Sequence, residues 1–314
     1  MSLQAQQFYA NGKVLLSGEY FVLDGALALA LPTRLGQSME VTPSAEPGLL
    51  QWRSFDEKNS LWFEGFFELP ELNCRQTNDE TTARRLADIL QDAARQRPQL
   101  RDPATGWAVT TRLDFPRDWG LGSSSTLIAL IAQWTQTDPF ALLEASFGGS
   151  GYDLACALSR GPLLYQRLRG TPQYVEFPFF PSFRSQLYFV YLESKQNSRE
   201  GIARFREKVI HNPQLIGQVS RLSADVIRAA DLDTFEAVIH RHEDLVAATL
   251  DLPRAQDLHF PGFRGAVKSL GAWGGDFVLL SSRQPETELR AELKERGFGT
   301  MLPYDQLIVP PPVY

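Results

Sequence analysis

The stretch Pro116-Arg117-Asp118-Trp119-Gly120-Leu121-Gly122-Ser123-Ser124-Ser125 decides how the chain reads. Before it, Trp107–Leu113 alternates apolar and polar residues as a strand does, and after it Thr126–Trp134 is an apolar run of helical length. A glycine–serine loop therefore joins a strand to a buried helix. Its two glycines allow close backbone approach, and its three hydroxyls can donate to phosphate oxygens or bind Mg²⁺. A helix start also presents unpaired N–H groups and the positive end of the dipole, so an anion fits there, and a triphosphate is the obvious one. An ordinary Gly/Ser helix cap accounts for the same residues. Neither familiar glycine fingerprint is present: no Lys-Ser/Thr follows, as a P-loop requires, and Ser125 stands where a dinucleotide loop has its third glycine.

Outward from this loop the pattern is α+β. From Phe8 to Val41, apolar runs at Val14–Leu16, Phe21–Leu23 and Leu27–Leu31 read as strands parted by glycines 12, 18 and 25. Leu49–Trp52 and Leu61–Leu69 read as further strands, and Thr82–Gln96 as a helix with Leu86, Ile89, Leu90 and Ala93 on one face. Asp138-Pro139 is an N-cap and N1 pair for a helix Phe140–Ser146, which Gly148-Gly149-Ser150-Gly151 ends. Asp153 follows, in a loop entering the next helix. Four prolines between Gly161 and Phe183 and a loss of helical period place a domain boundary there, dividing the chain into 1–165 and 166–314. The second part reads as a strand Gln186–Leu192, helices Arg199–Ile210, Pro213–Ala230 and Thr234–Thr249, a shorter helix Gly262–Leu270, a strand Phe277–Ser281, a helix Glu286–Arg296 and a strand Gln306–Val309.

Composition narrows the function. With 314 residues, 43% apolar and 22% charged, the chain is ordinary globular material. Its 31 Lys+Arg against 37 Asp+Glu leave a formal charge of −6, so no global field draws nucleic acid or anionic lipid, and any anion is held locally. Cys74 and Cys156 form no CxxC pair, which suits a reducing compartment. No signal-like or membrane-spanning run is visible, so a soluble, cytoplasmic protein without a membrane partner is expected. His240 and His242 stand two apart on an expected helix and do not share a face, so they make no metal pair. Tyr152 occupies the closing position of a would-be nucleophile elbow, which argues against serine hydrolysis. Arg84-Arg85 reads as the decoration of an exposed helix face, with contact to an acidic substrate as the alternative.

Two charged residues complete the candidates. Lys13 sits between Gly12 and a β run, where its ammonium can project from a strand toward a neighbouring site, with Glu19 as a counter-charge; a solvated strand-end lysine is the simpler alternative. Asp153 has its own simple reading, a helix-start acid stabilised by the dipole.

Taken together, NGKVLLSGEYFVLDG (11–25), PRDWGLGSSS (116–125), GGSGYDLACA (148–157) and KSLGAWGGDFVLLSS (268–282) resemble, in order and rough spacing, the motifs of the GHMP small-molecule kinases. Gly18-Glu19-Tyr20, the Trp-Gly-Leu-Gly-Ser-Ser loop and Gly274-Gly275-Asp276 look more like phosphomevalonate kinases than mevalonate kinases. The resemblance implies an N-terminal α+β domain with the phosphate loop and a C-terminal ferredoxin-like α+β domain. It implies ATP and Mg²⁺ as cofactors, a mevalonate-pathway acceptor in isoprenoid biosynthesis, and it is compatible with a homodimer. Mevalonate, homoserine or galactose kinases, a diphosphomevalonate decarboxylase and a non-catalytic nucleotide-binding regulator are the alternatives.

Carried onto this chain, Lys13 and Asp153 resemble the catalytic pair. Gly120, Leu121, Gly122, Ser123, Ser124 and Ser125 look like the phosphate loop, with Ser124 as the hydroxyl on Mg²⁺. Glu144 is the nearest match to a second Mg²⁺ carboxylate, although it stands only nine residues before Asp153. Glu19, Tyr20, Ser150, Gly151, Lys195, Ser198, Arg199, Gly274 and Gly275 look like substrate-contacting positions, a solvated charged helix start being the alternative for 195–199. Trp273 departs from the pattern, standing where a small residue is usual.

Overall fold

Alternating burial along successive strands builds the first sheet of the computed structural model, which describes residues 4–193, 198–209, 212–271 and 276–312. The chain forms two compact units, neither continuous in sequence: one holds residues up to Gly12 with 35–117 and 121–158, the other 13–34, 118–120 and the chain from Ser159. Among the described residues no helix is long and apolar enough to cross a membrane.

β1 (Gln6–Ser17) and β2 (Ala28–Pro43) run through both units. In the first unit β3 (Leu49–Phe55) and β4 (Leu61–Glu68) bury alternate residues, Leu50, Trp52 and Ser54 facing Phe63 and Phe67 across the core side. β5 (Asn73–Thr77) pairs with β4, while β6 (Trp107–Leu113) lies parallel to β3 and antiparallel to the second half of β2. On this sheet pack α1 (Glu80–Gln96), α2 (Ser123–Thr135), α3 (Pro139–Ser146) and α4 (Tyr152–Leu158). α1 is started by Asp79, whose carboxylate accepts from the Thr81 and Thr82 amides, and it buries Ala83, Leu86, Leu90 and Ala93 at helical spacing. Asp138 and Pro139 start α3 as their order suggests, with Asp138 accepting from the Phe140 and Ala141 amides.

In the second unit the start of β2 pairs with β7 (Leu163–Leu168), and β7 with β8 (Thr171–Glu176). β9 (Leu187–Tyr191) is followed by α5 (Ser198–Lys208), α6 (Pro213–Arg228), α7 (Leu232–Leu250) and α8 (Ala255–His259). Then come β10 (Val267–Ser269), β11 (Phe277–Ser281), α9 (Glu286–Glu295), β12 (Met301–Pro303) and the single turn α10 (Tyr304–Leu307). The order β10-β11-β9-β12, antiparallel at every step, with helices after β9 and after β11, is the βαββαβ arrangement of a ferredoxin-like domain. The expected α+β organisation is therefore present in both halves.

Several local expectations are corrected. Phe21–Asp24 is a 3₁₀ turn rather than a strand, with Phe21 and Val22 both buried, and Gly25 closes it at φ 90° by donating its amide to the Phe21 and Val22 carbonyls. The segment assigned to a short helix at 262–270 contains β10, whose ladder partner β11 outweighs local helical spacing. The last strand lies at Met301–Pro303, and the stretch from Gln306 begins inside α10. Within the proline-bearing stretch 161–183, β7 and β8 form a hairpin, turning through Arg169 at φ 51° and Gly170 at φ 82°. The two compact units meet at 158/159, and 13–34 belongs to the second. Its Tyr20, Phe21 and Ala26 share a core with Phe205 of α5, Val219 of α6 and Val246 of α7. Residues 118–120 go with it, since Trp119 stacks edge-on against Phe277 at 5.3 Å and Asp118 accepts from the Tyr191 hydroxyl at 3.1 Å.

Candidate active site

α2 begins three residues earlier than its apolar run suggests, so Ser123–Ser125 form its first turn rather than a loop. Gly122 at the N-cap has φ 91°, a left-handed conformation costly for any residue with a side chain, and it supplies no side-chain cap. The first amides of the helix therefore keep their donors for a ligand. Gly120 is also left-handed, φ 65°, and a Cβ there would stand 2.1 Å from the Asp276 Oδ2 atom, so only glycine fits. The three serines divide their tasks. Ser125 is buried and donates to the Gly122 carbonyl at 2.9 Å, which shapes the turn instead of facing a ligand. Ser124 is exposed and Ser123 half-buried. Thr126 ties the helix to β2 by donating to Gln37 Oε1 at 2.7 Å.

Ser123 and Ser124 open onto a cavity of about 190 Å³ inside the first unit. Trp52, Trp62, Phe63 and Phe147 supply aromatic walls, Thr81 and Thr82 hydroxyls, and Arg85 and Arg117 charge. Arg117 lies 3.7 Å over the Trp62 ring and Arg85 5.3 Å over Phe147, both close enough for cation–π attraction. Flat apolar walls beside two guanidiniums and a helix N-terminus suit a ligand that joins an aromatic ring to anionic oxygens. Sequence reading missed Trp52, Trp62, Thr81, Thr82, Arg117 and Phe147 as site residues, for no local pattern marks them. Arg85, the second of the two arginines on α1, borders the cavity as well.

Lys13 is half-buried in β1, and Asp153 is half-buried in the first turn of α4, a helical position rather than a loop. They belong to different units. Gly148, Gly149 and Gly151 all have positive φ, and the Gly151 carbonyl accepts from Ala155 to begin α4 just ahead of the Asp153 side chain. Ser150 is buried there. Glu144 is exposed on α3. Among the described residues no three His, Cys, Asp or Glu side chains gather as a metal cage. The hydroxyl at Ser124 nevertheless fits Mg²⁺ chemistry, since that ion keeps several waters and takes few protein ligands when phosphates supply the rest. Lys195, Gly274 and Gly275 lie outside the described residues, as do the side chains of Ser198 and Arg199, which open α5.

Glu19 has a different task from the one its position suggests. Its side chain is fully buried and meets the Lys268 ammonium at 2.6 Å, so it is not placed to touch a substrate. Lys268 also donates to Glu243 Oε1 at 3.2 Å and to the Ser269 carbonyl at 3.0 Å, while the Ser269 amide donates to Glu243 Oε2 at 3.1 Å. His242 Nε2 accepts from the Gly18 amide at 3.3 Å and lies 3.4 Å from Glu19 Oε2. Burial, joined by the Lys268 charge, drives the imidazole well below its usual range and keeps it neutral. Burial alone would lower Lys268, but the two carboxylates hold it above its ordinary value. Burial raises Glu19 against the pull of Lys268. Tyr20, also buried, stacks on Phe205 at 5.8 Å.

Two carboxylates on one ammonium leave a proton to be held. Burial pushes the Glu243 carboxyl up to about 7, with Lys268 opposing and Glu19 adding to the rise. Unfolded, the same group ionises near the ordinary glutamate value of 4.5. The folded state thus binds a proton that the unfolded chain has lost, and this stabilisation is complete below about pH 4.5 and disappears as pH rises through about 7. The melting temperature is expected to fall across that window, and the Glu243→Gln variant to show a flatter profile. Equal slopes in the two proteins would place the proton elsewhere.

No family sequence model and no curated protein matches the chain. Solved structures do. Mevalonate kinase from L. major, in complex with R-mevalonate, superposes with a TM-score of 0.71 at 16% identity, covering 100% of both chains. Phosphomevalonate kinase from Streptococcus pneumoniae, with phosphomevalonate and AMPPNP, gives 0.67 at 15%, covering 96% of this chain and 99% of that one. Galactokinase from Lactococcus lactis, complexed with galactose, gives 0.70 at 11%, covering 99% and 95%.

Proposed function

From the two-domain GHMP kinase fold that the chain shares with these structures, we propose an ATP-dependent phosphotransferase that moves the γ-phosphoryl group to a small mevalonate-pathway acceptor, phosphomevalonate before mevalonate. The observation that carries this reading is the uncapped start of α2, with two left-handed glycines before it and an aromatic, arginine-bordered cavity beside it. In this reading the base enters between the aromatic walls and the amides of Ser123 and Ser124 bind phosphate oxygens.

Phosphoryl transfer needs alignment and charge neutralisation more than covalent help, because its transition state is loose and spreads charge over the oxygens. When bound with the nucleotide, Mg²⁺ supplies part of that neutralisation, and Ser124 is the residue that would hold it. Lys13 supplies a further positive charge. Asp153 accepts or orients the acceptor's proton when the acceptor is an alcohol. A phosphate monoester has its second pKa near 6 and is mostly dianionic at neutral pH, so it asks for cations instead of a base. Lys195 and Arg199 are proposed for that part.

ATP consumption with mevalonate, mevalonate 5-phosphate, homoserine and galactose tests the reading, together with melting in the presence of MgATP. Turnover with one acceptor and a raised melting temperature are expected. No turnover with any acceptor and unchanged melting would remove it.

A further inference from the structure

The buried group of Glu19, His242, Glu243 and Lys268 takes no direct part in the phosphate chemistry above, yet it is tied to Lys13 by the chain itself. Lys13 lies in β1, which ends at Ser17, and Gly18-Glu19-Tyr20 is the turn that ends it. That turn is strained: Tyr20 has φ 59° and ψ −46°, where a residue with a Cβ rests only under constraint.

The constraints are all visible. Lys268 grips the Glu19 carboxylate at 2.6 Å, and the Gly18 amide donates to His242 at 3.3 Å. The Gly18 carbonyl accepts from Val22 at 2.9 Å. Tyr20 is pressed between Phe205 and Gly201, where a Cβ would come 2.5 Å from the tyrosine oxygen. A buried ion pair adds little stability over a well-packed apolar replacement, and its distinctive property is direction.

We propose that the Glu19–Lys268 pair is a positioning device for phosphoryl transfer, locking the strained turn that ends β1 and thereby fixing where Lys13 stands on its strand. Lys268 and Glu19 act through Lys13 and touch no reactant. The proposal rests on the phosphotransferase reading, and its test separates the two.

Glu19→Gln and Glu243→Gln each take one carboxyl group from Lys268 and leave it the other, so in both variants the ammonium keeps a buried counter-charge. Only the first loosens the turn. Glu19→Gln is expected to lower kcat by about tenfold or more, short of the roughly 10²-fold that a 1 Å misplacement can cost. The KM values for ATP and acceptor should stay within about twofold, unlike the loss of a direct substrate contact. Glu243→Gln should keep kcat within about twofold of the parent. Amide exchange at Gly18 and Val22 should quicken in Glu19→Gln alone. If the two variants match in kcat and exchange, the proposal falls. If Glu19→Gln does not fold, the neutral Lys268→Met/Glu19→Gln/Glu243→Gln protein replaces it, and parental kcat there overturns the proposal. Should the parent protein itself phosphorylate no acceptor, the phosphotransferase reading fails, and the exchange comparison alone decides whether the clamp exists.

Discussion

Lys13→Met is expected to lower kcat about 10²- to 10³-fold with any acceptor, the usual cost of removing one preorganised group that meets developing charge. Lys13 is half-buried in a strand whose neighbours Val14, Leu15 and Leu16 are core residues, so methionine keeps the apolar stem and removes the ammonium. Turnover should therefore collapse in a protein that still folds. Asp153→Asn then distinguishes the acceptors. With an alcohol, loss of a general base costs about 10²- to 10⁴-fold in kcat and leaves KM nearly unchanged. With a phosphate monoester the proton has already gone near neutrality, and the same variant should lose less than about tenfold. Steady-state kinetics on mevalonate and mevalonate 5-phosphate measure both. Parental kcat in Lys13→Met would remove Lys13 from the chemistry, and an equal loss for Asp153→Asn on the two acceptors would deny Asp153 the role of base.

Lys268→Met should be the most damaging single substitution to stability in the second unit. It leaves Glu19 and Glu243 buried with no counter-charge, and breaking a buried pair from one side costs about 3–5 kcal/mol. Against a total of about 5–15 kcal/mol for a native domain, that is a large share. The accompanying fall in melting temperature is on the order of 10 °C. Adding Glu19→Gln and Glu243→Gln to the same protein should recover most of the loss, because no uncompensated charge then remains. Calorimetry or denaturant unfolding of the single and triple variants decides the point. A single variant as stable as the parent would mean that the cluster adjusts its protonation freely, and a triple variant as weak as the single would mean that packing around the lysine stem, not charge, is what was lost.

Much of the candidate site was legible because its signals are local. Glycines that need positive φ, a hydroxyl-rich helix start and an apolar run after it all lie within Gly120–Trp134, and the structure has α2 beginning there. The Asp138-Pro139 start of α3 and the apolar face of α1 were equally plain, since caps and helical periodicity act over a turn or two. The walls of the cavity were not. Trp52, Trp62, Arg117 and Phe147 come from β3, β4, the segment before the glycine loop and the end of α3, and they meet only because the sheet and its helices pack together.

Glu19 marks the boundary between the two kinds of information. Beside Gly18 it reads as a charge available to a ligand or to Lys13, yet its partner lies 249 residues away on a strand that local spacing assigned to a helix. The glycine–serine turn, the caps and the α+β character of both halves are written in local residue order, because steric limits on φ and the spacing of apolar residues operate between near neighbours. Which charges are buried, which unit holds residues 13–34 and what lines the cavity emerge from long-range packing alone. Desolvation forces a buried charge to find a partner wherever the folded chain supplies one, and that choice depends on distant segments coming together.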